Sequence, residues 1–212
     1  MSPDQQAHEG RAAKAAVLVQ EAARRPGQLA LHKRTSNLFR DRRQDTRQGL
    51  DLGELNHVIG ADELAAWVDV EGMTSYEDLV AWTLPRGFMP AVVPQLKTIT
   101  AGGAAAGVGI EATSFRNGLV HDTLHEIEVL LPGGEIAVCS PSNEHRDLFF
   151  GFPNSYGTLG YALRLRLGTL PVQPLVRVEH HACDSATAFV EALAGQCTGD
   201  ADFVDGVVFG ER

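Results

Sequence analysis

The densest run of small residues in this 212-residue chain lies between Thr98 and Gly118. This stretch, TITAGGAAAGVGIEATSFRNG, holds five glycines and five alanines. Glycine lets the backbone approach a ligand closely, because it has no Cβ and tolerates positive φ. The hydroxyl groups of Thr98, Thr100, Thr113 and Ser114 can donate to phosphate oxygens. These residue types fit contact with the pyrophosphate of a dinucleotide but do not identify one.

Two other interpretations of this stretch stay open on the residues alone. Residues 107–112, GVGIEA, match the G-x-G-x-x-A pattern of Rossmann folds, which would indicate binding of a nicotinamide dinucleotide. That pattern requires a strand before it and a helix after it, and residues 113–122 show no helical periodicity. The glycines would otherwise form a turn that packs two strands closely, with no ligand.

A basic segment near the N-terminus is the second candidate for chemistry. Residues 1–50 carry ten Lys/Arg and five Asp/Glu, whereas the rest carries eight and 22. The acidic body disfavours nonspecific binding of nucleic acid, and Phe39 is the only aromatic residue in the basic block. Lys33–Arg40, KRTSNLFR, combines charge with short hydroxyl and amide donors, which suits either an anion site or a solvated face.

Metal and nucleophile sites are not expected. The three cysteines, Cys139, Cys183 and Cys197, are odd in number and widely spaced, which predicts free thiols rather than disulfides or a zinc site. His121 and His125 have the i, i+4 spacing of helical metal ligands, but their stretch predicts a strand, where that spacing spans about 13 Å.

The elements that must position these residues follow from periodicity and capping signals. Residues 10–25 predict a helix with an apolar stripe of Ala15, Leu18, Val19 and Ala22. Thr74 and Glu77 form a capping box before the helix SYEDLVAWTL. In YALRLRLGTLPV, alternation puts Tyr161, Leu163, Leu165 and Leu167 on one face of a strand. Further predicted elements are a strand at 65–72, a hairpin over 123–140 with a type II turn at Pro132 and Gly133, a helix at 144–151 capped by Ser142 or Asn143, a strand at 175–181 and a helix at 186–195.

The order of the motifs resembles the FAD-binding domain of the vanillyl-alcohol oxidase / p-cresol methylhydroxylase (PCMH) family. VPQLKTITAGGAAAGVGIEATSFRNG is followed by LLPGGE, NEHRDLFF and SYGTLG. Within that family, the sequences of these motifs are most similar to the branch of Delta(24)-sterol reductases and their bacterial FAD-linked relatives. The resemblance implies an α+β, two-subdomain FAD-binding PCMH-type fold with the start of a C-terminal cap domain. It divides the chain into an N-terminal helix (1–27), the FAD-binding domain (28–175) and an incomplete cap (176–212).

The resemblance also implies which residues contact the cofactor. They fall in the basic loop, the glycine-rich segment and the turn before the long strand. The implied contacts are Lys33, Arg34, Thr35, Ser36, Asn37, Thr100, Gly102, Gly103, Gly107, Gly109, Ile110, Glu111, Ser114, Gly118, Asp122, Gly157, Thr158 and Gly160. His32 does not match the histidine that some members link covalently to FAD, so noncovalent FAD is expected.

By the same resemblance, we expect an FAD-dependent oxidoreductase that transfers hydride at a C=C or C–H bond of a small lipophilic substrate, of which a sterol is one example. The sequence assigns no catalytic acid or base. The alternative is a truncated FAD-binding fragment without turnover. Neither a signal peptide nor an apolar run long enough for a membrane span is evident, so a cytoplasmic location without integral membrane segments is expected.

Overall fold

The computed structural model describes residues 2–24, 29–32 and 48–210. Helices in these ranges are α1 (Pro3–Ala23), α2 (Tyr76–Thr83), α3 (Ala101–Gly107), α4 (Ser114–Asn117), α5 (Arg146–Gly151) and α6 (Ala186–Cys197). The strands are β1 (Leu29–Leu31), β2 (Gln48–Leu50), β3 (Val58–Asp62), β4 (Trp67–Glu71), β5 (Phe88–Pro90), β6 (Leu124–Leu130), β7 (Ile136–Cys139) and β8 (Tyr161–Pro171). Short 3-10 turns span Leu84–Arg86 and Val120–Thr123. Within the described ranges, no helix combines the length and apolar composition needed to cross a membrane.

The long strand β8 organises the main sheet. It pairs antiparallel with β4 on one side and with β6 on the other, while its end pairs with β5. The order β3-β4-β8-β6-β7 follows, and β1 and β2 form a separate parallel pair. A Rossmann fold needs a parallel sheet beside its glycine-rich turn. The antiparallel pairing of the main sheet therefore makes that interpretation of GVGIEA wrong.

A bulge in β8 changes which side chains share a face. Glu128 pairs with Arg164, but the next residue, Val129, pairs with Ala162. The extra residue on β8 breaks the period of two. Leu165 and Leu167 consequently lie in the main core, whereas Leu163 packs in a second cluster against α1. The predicted single face for Tyr161, Leu163, Leu165 and Leu167 is wrong for this reason.

The two apolar clusters lie on different sides of the described fold. The larger one joins the inner face of the sheet to α2, α3 and α5. The smaller one buries Ala12, Ala15 and Val19 of α1 against Leu163 and residues 50–55. Helix α1 begins at Pro3 rather than near residue 10, because Ser2 caps it by accepting from Gln5 N at 3.2 Å. Leu18 of the predicted stripe is 40% exposed.

Local signals gave the right element but the wrong cap at two helices, and one predicted strand does not form. Ser75, not Thr74, caps α2 by accepting from Asp78 N at 3.1 Å, and Thr74 instead donates to His57 O. Neither Ser142 nor Asn143 is the N-cap of α5, which is His145. Residues 175–181 form no strand.

The β6–β7 hairpin is confirmed, but its turn differs in type from the one predicted. Gly134 N donates to Leu131 O at 2.9 Å, so Pro132 and Gly133 occupy the corners as expected. Positive φ occurs at Gly134 (85°) and not at Gly133. A type II turn requires positive φ at its second corner, whereas a type I turn followed by a left-handed glycine does not. The β6–β7 hairpin therefore closes with a type I turn followed by the left-handed Gly134.

A layer of charged side chains covers the sheet face beneath α1. The acids are Asp69 and Glu71 of β4 and Glu126 and Glu128 of β6. They form ion pairs with Arg11 of α1 and with Arg164 and Arg166 of β8. His8 completes the layer and is 1% exposed. Its Nδ1 lies 2.8 Å from Glu71 Oε1 and its Nε2 lies 2.9 Å from Glu128 Oε2. Because carboxylates only accept, both ring nitrogens carry protons, and the four acids are then balanced by four cations.

The protonated His8 makes stability depend on pH. Burial alone would lower the pKa of His8, but hydrogen bonds to Glu128 and Glu71 outweigh it and raise the pKa to about 9. Since this is above the unfolded value, the stabilisation is complete below pH about 6.5 and is lost as the pH rises toward 9. We expect the free energy of unfolding to fall by about 3 kcal/mol over that range.

The measurement is urea unfolding at a series of pH values, for the parent chain and for His8→Gln. The His8→Gln variant should be less stable at pH 6.5 and should lose most of the dependence between pH 6.5 and 9. His180→Gln, at an exposed position, is the matched control and should follow the parent curve. A parent curve that is flat over this range would contradict a charged His8.

Candidate functional site

The glycine-rich segment folds as a short helix followed by a loop, rather than as a loop throughout. Thr100 caps α3, and its Oγ1 accepts from Gly103 N at 3.2 Å. Two bonds anchor the start of the helix to the end of β4, from Ala101 N to Thr74 O and from Gly102 N to Gly72 O, each 2.9 Å. The helix ends at Val108, whose φ is 60°. A β-branched residue rarely adopts this left-handed conformation, so the start of the loop is strained.

The two faces of α3 differ in what they contact. Ala101, Ala104 and Ala105 are buried in the main core. Gly103, Ala106 and Gly107, at i, i+3 and i+4, are partly exposed, although Ala106 also packs against the main core and the Tyr156 ring lies beside Gly107. No side chain on this outer face is larger than a methyl group. A flat group can therefore approach the helix backbone there.

The predicted glycines serve different purposes in this segment. A Cβ on Gly102 would lie 2.8 Å from Gly72 O and 3.2 Å from Ala162 Cβ, and one on Gly109 would lie 2.9 Å from Val120 Cγ2. Packing within the protein is therefore sufficient reason for glycine at both positions. A Cβ on Gly107 would meet only Tyr156 Cε1, at 3.8 Å. Contact of these glycines with a cofactor stays a prediction.

The loop after α3 is held by polar contacts. Ser114 Oγ accepts from Glu111 N at 2.9 Å, and Glu111 Oε2 accepts from Gln95 N at 3.1 Å. Burial, together with the charge of Asp205, raises the pKa of Glu111 against the effect of the Gln95 hydrogen bond. Ile110 is 73% exposed between these anchors.

The Gly118–Asp122 segment is a compact turn beside this loop. Gly118 has a φ of 74°, and Asp122 Oδ2 accepts from Leu119 N at 2.7 Å. The Asp122 side chain is 53% exposed and borders a cleft of about 320 Å³, which His125 and Thr169 also line. Asp122 thus has both a local structural role and access to a concave surface.

The turn that precedes β8 lies against α3. Tyr156 N donates to Ala106 O at 3.0 Å, which joins the turn to the end of the helix. Gly157 and Gly160 have φ values of 82° and 147°, and Thr158 Oγ1 donates to Ser155 O. The fold therefore brings the predicted residues of this turn beside the glycine-rich segment. Lys33, Arg34, Thr35, Ser36 and Asn37 lie outside the described residues.

Three buried polar atoms near this segment have no hydrogen-bond partner among the described residues. They are Tyr76 Oη, His121 Nδ1 and Ser155 Oγ. Buried polar groups in native proteins are nearly always paired, so each unpaired atom needs an explanation. Sequence reasoning did not single out Tyr76, and it weighed His121 only as a metal ligand or a polar residue of the surface or cofactor edge, since nothing in the local pattern marks an unpaired atom.

The C-terminal part of the chain also contacts the segment. Val204 N donates to Ala112 O at 2.9 Å, and Gln95 Nε2 donates to Asp205 Oδ2 at 2.5 Å. Arg116 Nη2 donates to Gly199 O at 2.9 Å. Residues 199–205 therefore run alongside the loop that carries Ile110 and Glu111.

Other chemistry has little support in the part of the chain that the structure covers. It contains no group of three or more His, Cys, Asp or Glu placed to hold a metal ion. The three cysteines are free, and burial raises the pKa of Cys139 to about 11, which keeps its thiol protonated and unreactive. A cleft of about 690 Å³ between α1 and residues 51–57 is lined by charges that pair with one another, such as Lys14 with Glu54 at 2.7 Å.

Comparison with known families and proteins gives consistent matches. The family described as FAD binding domain matches residues 10–140. Delta(24)-sterol reductase of Arabidopsis thaliana is 29% identical over 168 residues, which are 76% of this chain and 30% of the plant protein. The human Delta(24)-sterol reductase is 26% identical over 190 residues, 87% of this chain and 35% of that protein. Cytokinin dehydrogenase 6 of Oryza sativa subsp. japonica is 30% identical over 161 residues, 74% of this chain and 30% of that enzyme.

A solved structure supports the same fold. 6-Hydroxy-D-nicotine oxidase from Arthrobacter nicotinovorans superimposes with a TM-score of 0.68 at 19% identity, covering 76% of this chain and 35% of the oxidase. This match confirms the predicted α+β, PCMH-type architecture. The chain spans about a third of the length of the curated relatives it matches.

Proposed function

The chain belongs to the FAD binding domain family, and on that basis we propose that it binds FAD noncovalently along the outer face of α3 and the loop that follows. The observation that carries this placement is the outer face itself, where Gly103, Ala106 and Gly107 leave the helix backbone accessible. Unpaired buried atoms on Tyr76, His121 and Ser155 support it, because a large polar ligand can supply the partners they lack.

The residues present fit the group. Thr100 and Ser114 hold hydroxyls at the two ends of the segment, and each accepts one backbone hydrogen bond. Hydroxyl groups are of the kind that bind phosphate oxygens. Gly157 and Thr158 lie in the turn that Tyr156 joins to α3. We propose that these residues, with the basic residues 33–37, bind the FAD phosphates and adenosine. When bound, FAD supplies hydride transfer, and the protein supplies its position.

We further propose that the activity is oxidation or reduction at a C=C or C–H bond of a small lipophilic substrate, of which a sterol is one example. The support is that the relatives include a sterol reductase, a cytokinin dehydrogenase and, by fold, a nicotine oxidase. All three names denote redox enzymes.

The free cysteines support the proposal that the protein works in a reducing compartment such as the cytoplasm.

A second candidate function is FAD binding without turnover. The observation that favours it is that this chain matches only 30% and 35% of the length of the two sterol reductases. Binding and turnover are therefore measured separately.

The test is the visible absorption spectrum of the purified protein after incubation with FAD and desalting. We expect retained flavin bands, because the partly exposed face of α3 carries no side chain larger than a methyl group and lets a ligand approach the backbone closely. Acid precipitation should then release the flavin into the supernatant, as for a noncovalent cofactor. Flavin that stays in the pellet would contradict noncovalent binding.

Turnover is followed on the loaded protein with a sterol bearing a side-chain double bond and an external electron donor. Reduction of the sterol would support the oxidoreductase proposal. Retained FAD without reduction would favour the second candidate. A folded protein that retains no FAD would contradict both proposals.

A further inference from the structure

Tyr156 presents an aromatic side chain beside the partly exposed face of α3. The residue is 54% exposed, and its Cε1 lies 3.8 Å from the position that a Cβ on Gly107 would take. Its backbone N–H donates to Ala106 O at 3.0 Å. The ring therefore lies next to the end of the helix and still presents surface to solvent. A ligand that extends along this face to Gly107 meets the ring.

The backbone at Tyr156 has a conformation that favours glycine. Its φ is 49°, and the neighbouring Asn154 and Gly157 have φ values of 61° and 82°. Positive φ is common for glycine and asparagine but unusual for an aromatic residue, and such strain occurs most often at ligand sites. Burial in the core does not account for a tyrosine here, because more than half of the residue is exposed.

The turn that carries Tyr156 is closed by its own hydrogen bonds. Thr158 N and Thr158 Oγ1 both donate to Ser155 O, at 2.9 and 2.7 Å. A Cβ on Gly157 would lie 3.5 Å from Tyr161 Cε1, so the turn also packs against the first residue of β8. The backbone that holds the Tyr156 ring is thus ordered before any ligand binds. Such preorganisation lowers the entropy cost of a contact with the ring.

An aromatic ring with an exposed surface can stack on a planar heterocycle. FAD contains two planar ring systems, the isoalloxazine and the adenine. Stacking of a base on an aromatic side chain strengthens binding about 10-fold or more. Next to the ring, Gly103, Ala106 and Gly107 carry no side chain larger than a methyl group, so a flat ring system can lie close to the helix there.

We propose that Tyr156 is an FAD-binding residue whose ring stacks on one of the two planar ring systems of the cofactor at the end of α3. This inference rests on the proposed function, because it assumes that FAD occupies this face of the helix. The contribution of Tyr156 comes from its ring rather than from its hydroxyl group. Phenylalanine should therefore substitute for it, and an aliphatic residue should not.

The test compares Tyr156→Leu with Tyr156→Phe. Neither variant introduces glycine, so the strain at positive φ remains in both. The FAD dissociation constant, measured by equilibrium dialysis, should increase about 10-fold in Tyr156→Leu and less than about 2-fold in Tyr156→Phe. The melting temperature of each variant without FAD should stay within about 2 °C of the parent value, because the residue is exposed.

ADP and FMN as competitors identify the ring system that stacks, because each carries one of the two. The competitor that carries the stacked ring should bind Tyr156→Leu about 10-fold more weakly than the parent chain, and the other should bind both equally. A loss confined to ADP would assign the contact to the adenine, and a loss confined to FMN would assign it to the isoalloxazine. Equal losses for both competitors, or for neither, would overturn the stacking contact.

Phe150→Leu is the matched control, because Phe150 is 56% exposed in α5 and its ring contacts Phe149 and Arg146. It should leave the FAD affinity unchanged. Parent FAD affinity in Tyr156→Leu, with a parent chain that binds FAD, would overturn this inference and leave the proposed function intact. Two other results would do the same: Tyr156→Phe binding as weakly as Tyr156→Leu, or a large drop in the melting temperature of Tyr156→Leu. Absence of FAD binding in the parent chain would overturn both.

Discussion

Replacing Gly103 by valine is expected to abolish FAD binding while the protein stays folded. Gly103 lies on the outer face of α3, and an isopropyl group there would occupy the space through which we propose that FAD approaches the helix backbone. Overlap that costs ~3 kcal/mol weakens binding about 100-fold. The backbone N–H of residue 103 can still donate to Thr100 Oγ1 after the change. Valine is also a better helix former than glycine.

The measurement pairs an FAD titration with far-ultraviolet circular dichroism and thermal unfolding. Gly10→Val is the matched control, because Gly10 lies in α1 and a Cβ there has no neighbour within 4 Å. Gly103→Ala should bind FAD with intermediate affinity, since it adds only a methyl group. A folded Gly103→Val protein with the parent FAD affinity would show that the cofactor does not approach this face.

The sequence predicts the elements well where the signal is local. The alternation in LHEIEVL and the turn residues around Pro132 identify the hairpin, and β6 pairs with β7 as expected. Helix α3 was not predicted, because a run of glycine and alanine carries no apolar periodicity. Its stability comes from contacts with distant residues, such as the bond from Ala101 N to Thr74 O. Contacts with residues that are distant in the sequence cannot be inferred from a local pattern.

The charged layer shows the same limit more strongly. His8 is buried between Glu71 and Glu128, which are 63 and 120 residues away in the sequence. A histidine in a polar N-terminal helix predicts an exposed side chain, and only the assembled sheet supplies the carboxylates that bury it. The unpaired hydroxyl of Tyr76 likewise depends on the absence of a partner in three dimensions. The assignment of residues 33–37 to phosphate contact still depends on the resemblance and on the residue types, because these residues lie outside the described part of the chain.

Replacing Gly72 by alanine is expected to produce the largest loss of stability among these variants. Gly72 is buried at the end of β4, and a Cβ there would overlap the carbonyl oxygen of Ala162 in β8. The obstacle is backbone in the central strand, so it cannot move aside as a flexible side chain can. Gly72 N also donates to Leu163 O, and Gly72 O accepts from Gly102 N. We expect a loss of about 3 kcal/mol or more in the free energy of unfolding.

The same change tests how the fold positions the site. Because Gly72 O anchors the start of α3, molecules of Gly72→Ala that remain folded should bind FAD more weakly than the parent chain. Gly60→Ala, at a position in β3 where a Cβ has no neighbour within 4 Å, is the matched control for both urea unfolding and FAD titration. Parent stability in Gly72→Ala would show that β4 and β8 are not in the close contact described. If Gly72→Ala were less stable but bound FAD with the parent affinity, the bond between Gly72 and the start of α3 would not be needed for FAD binding. Other contacts would then position the cofactor.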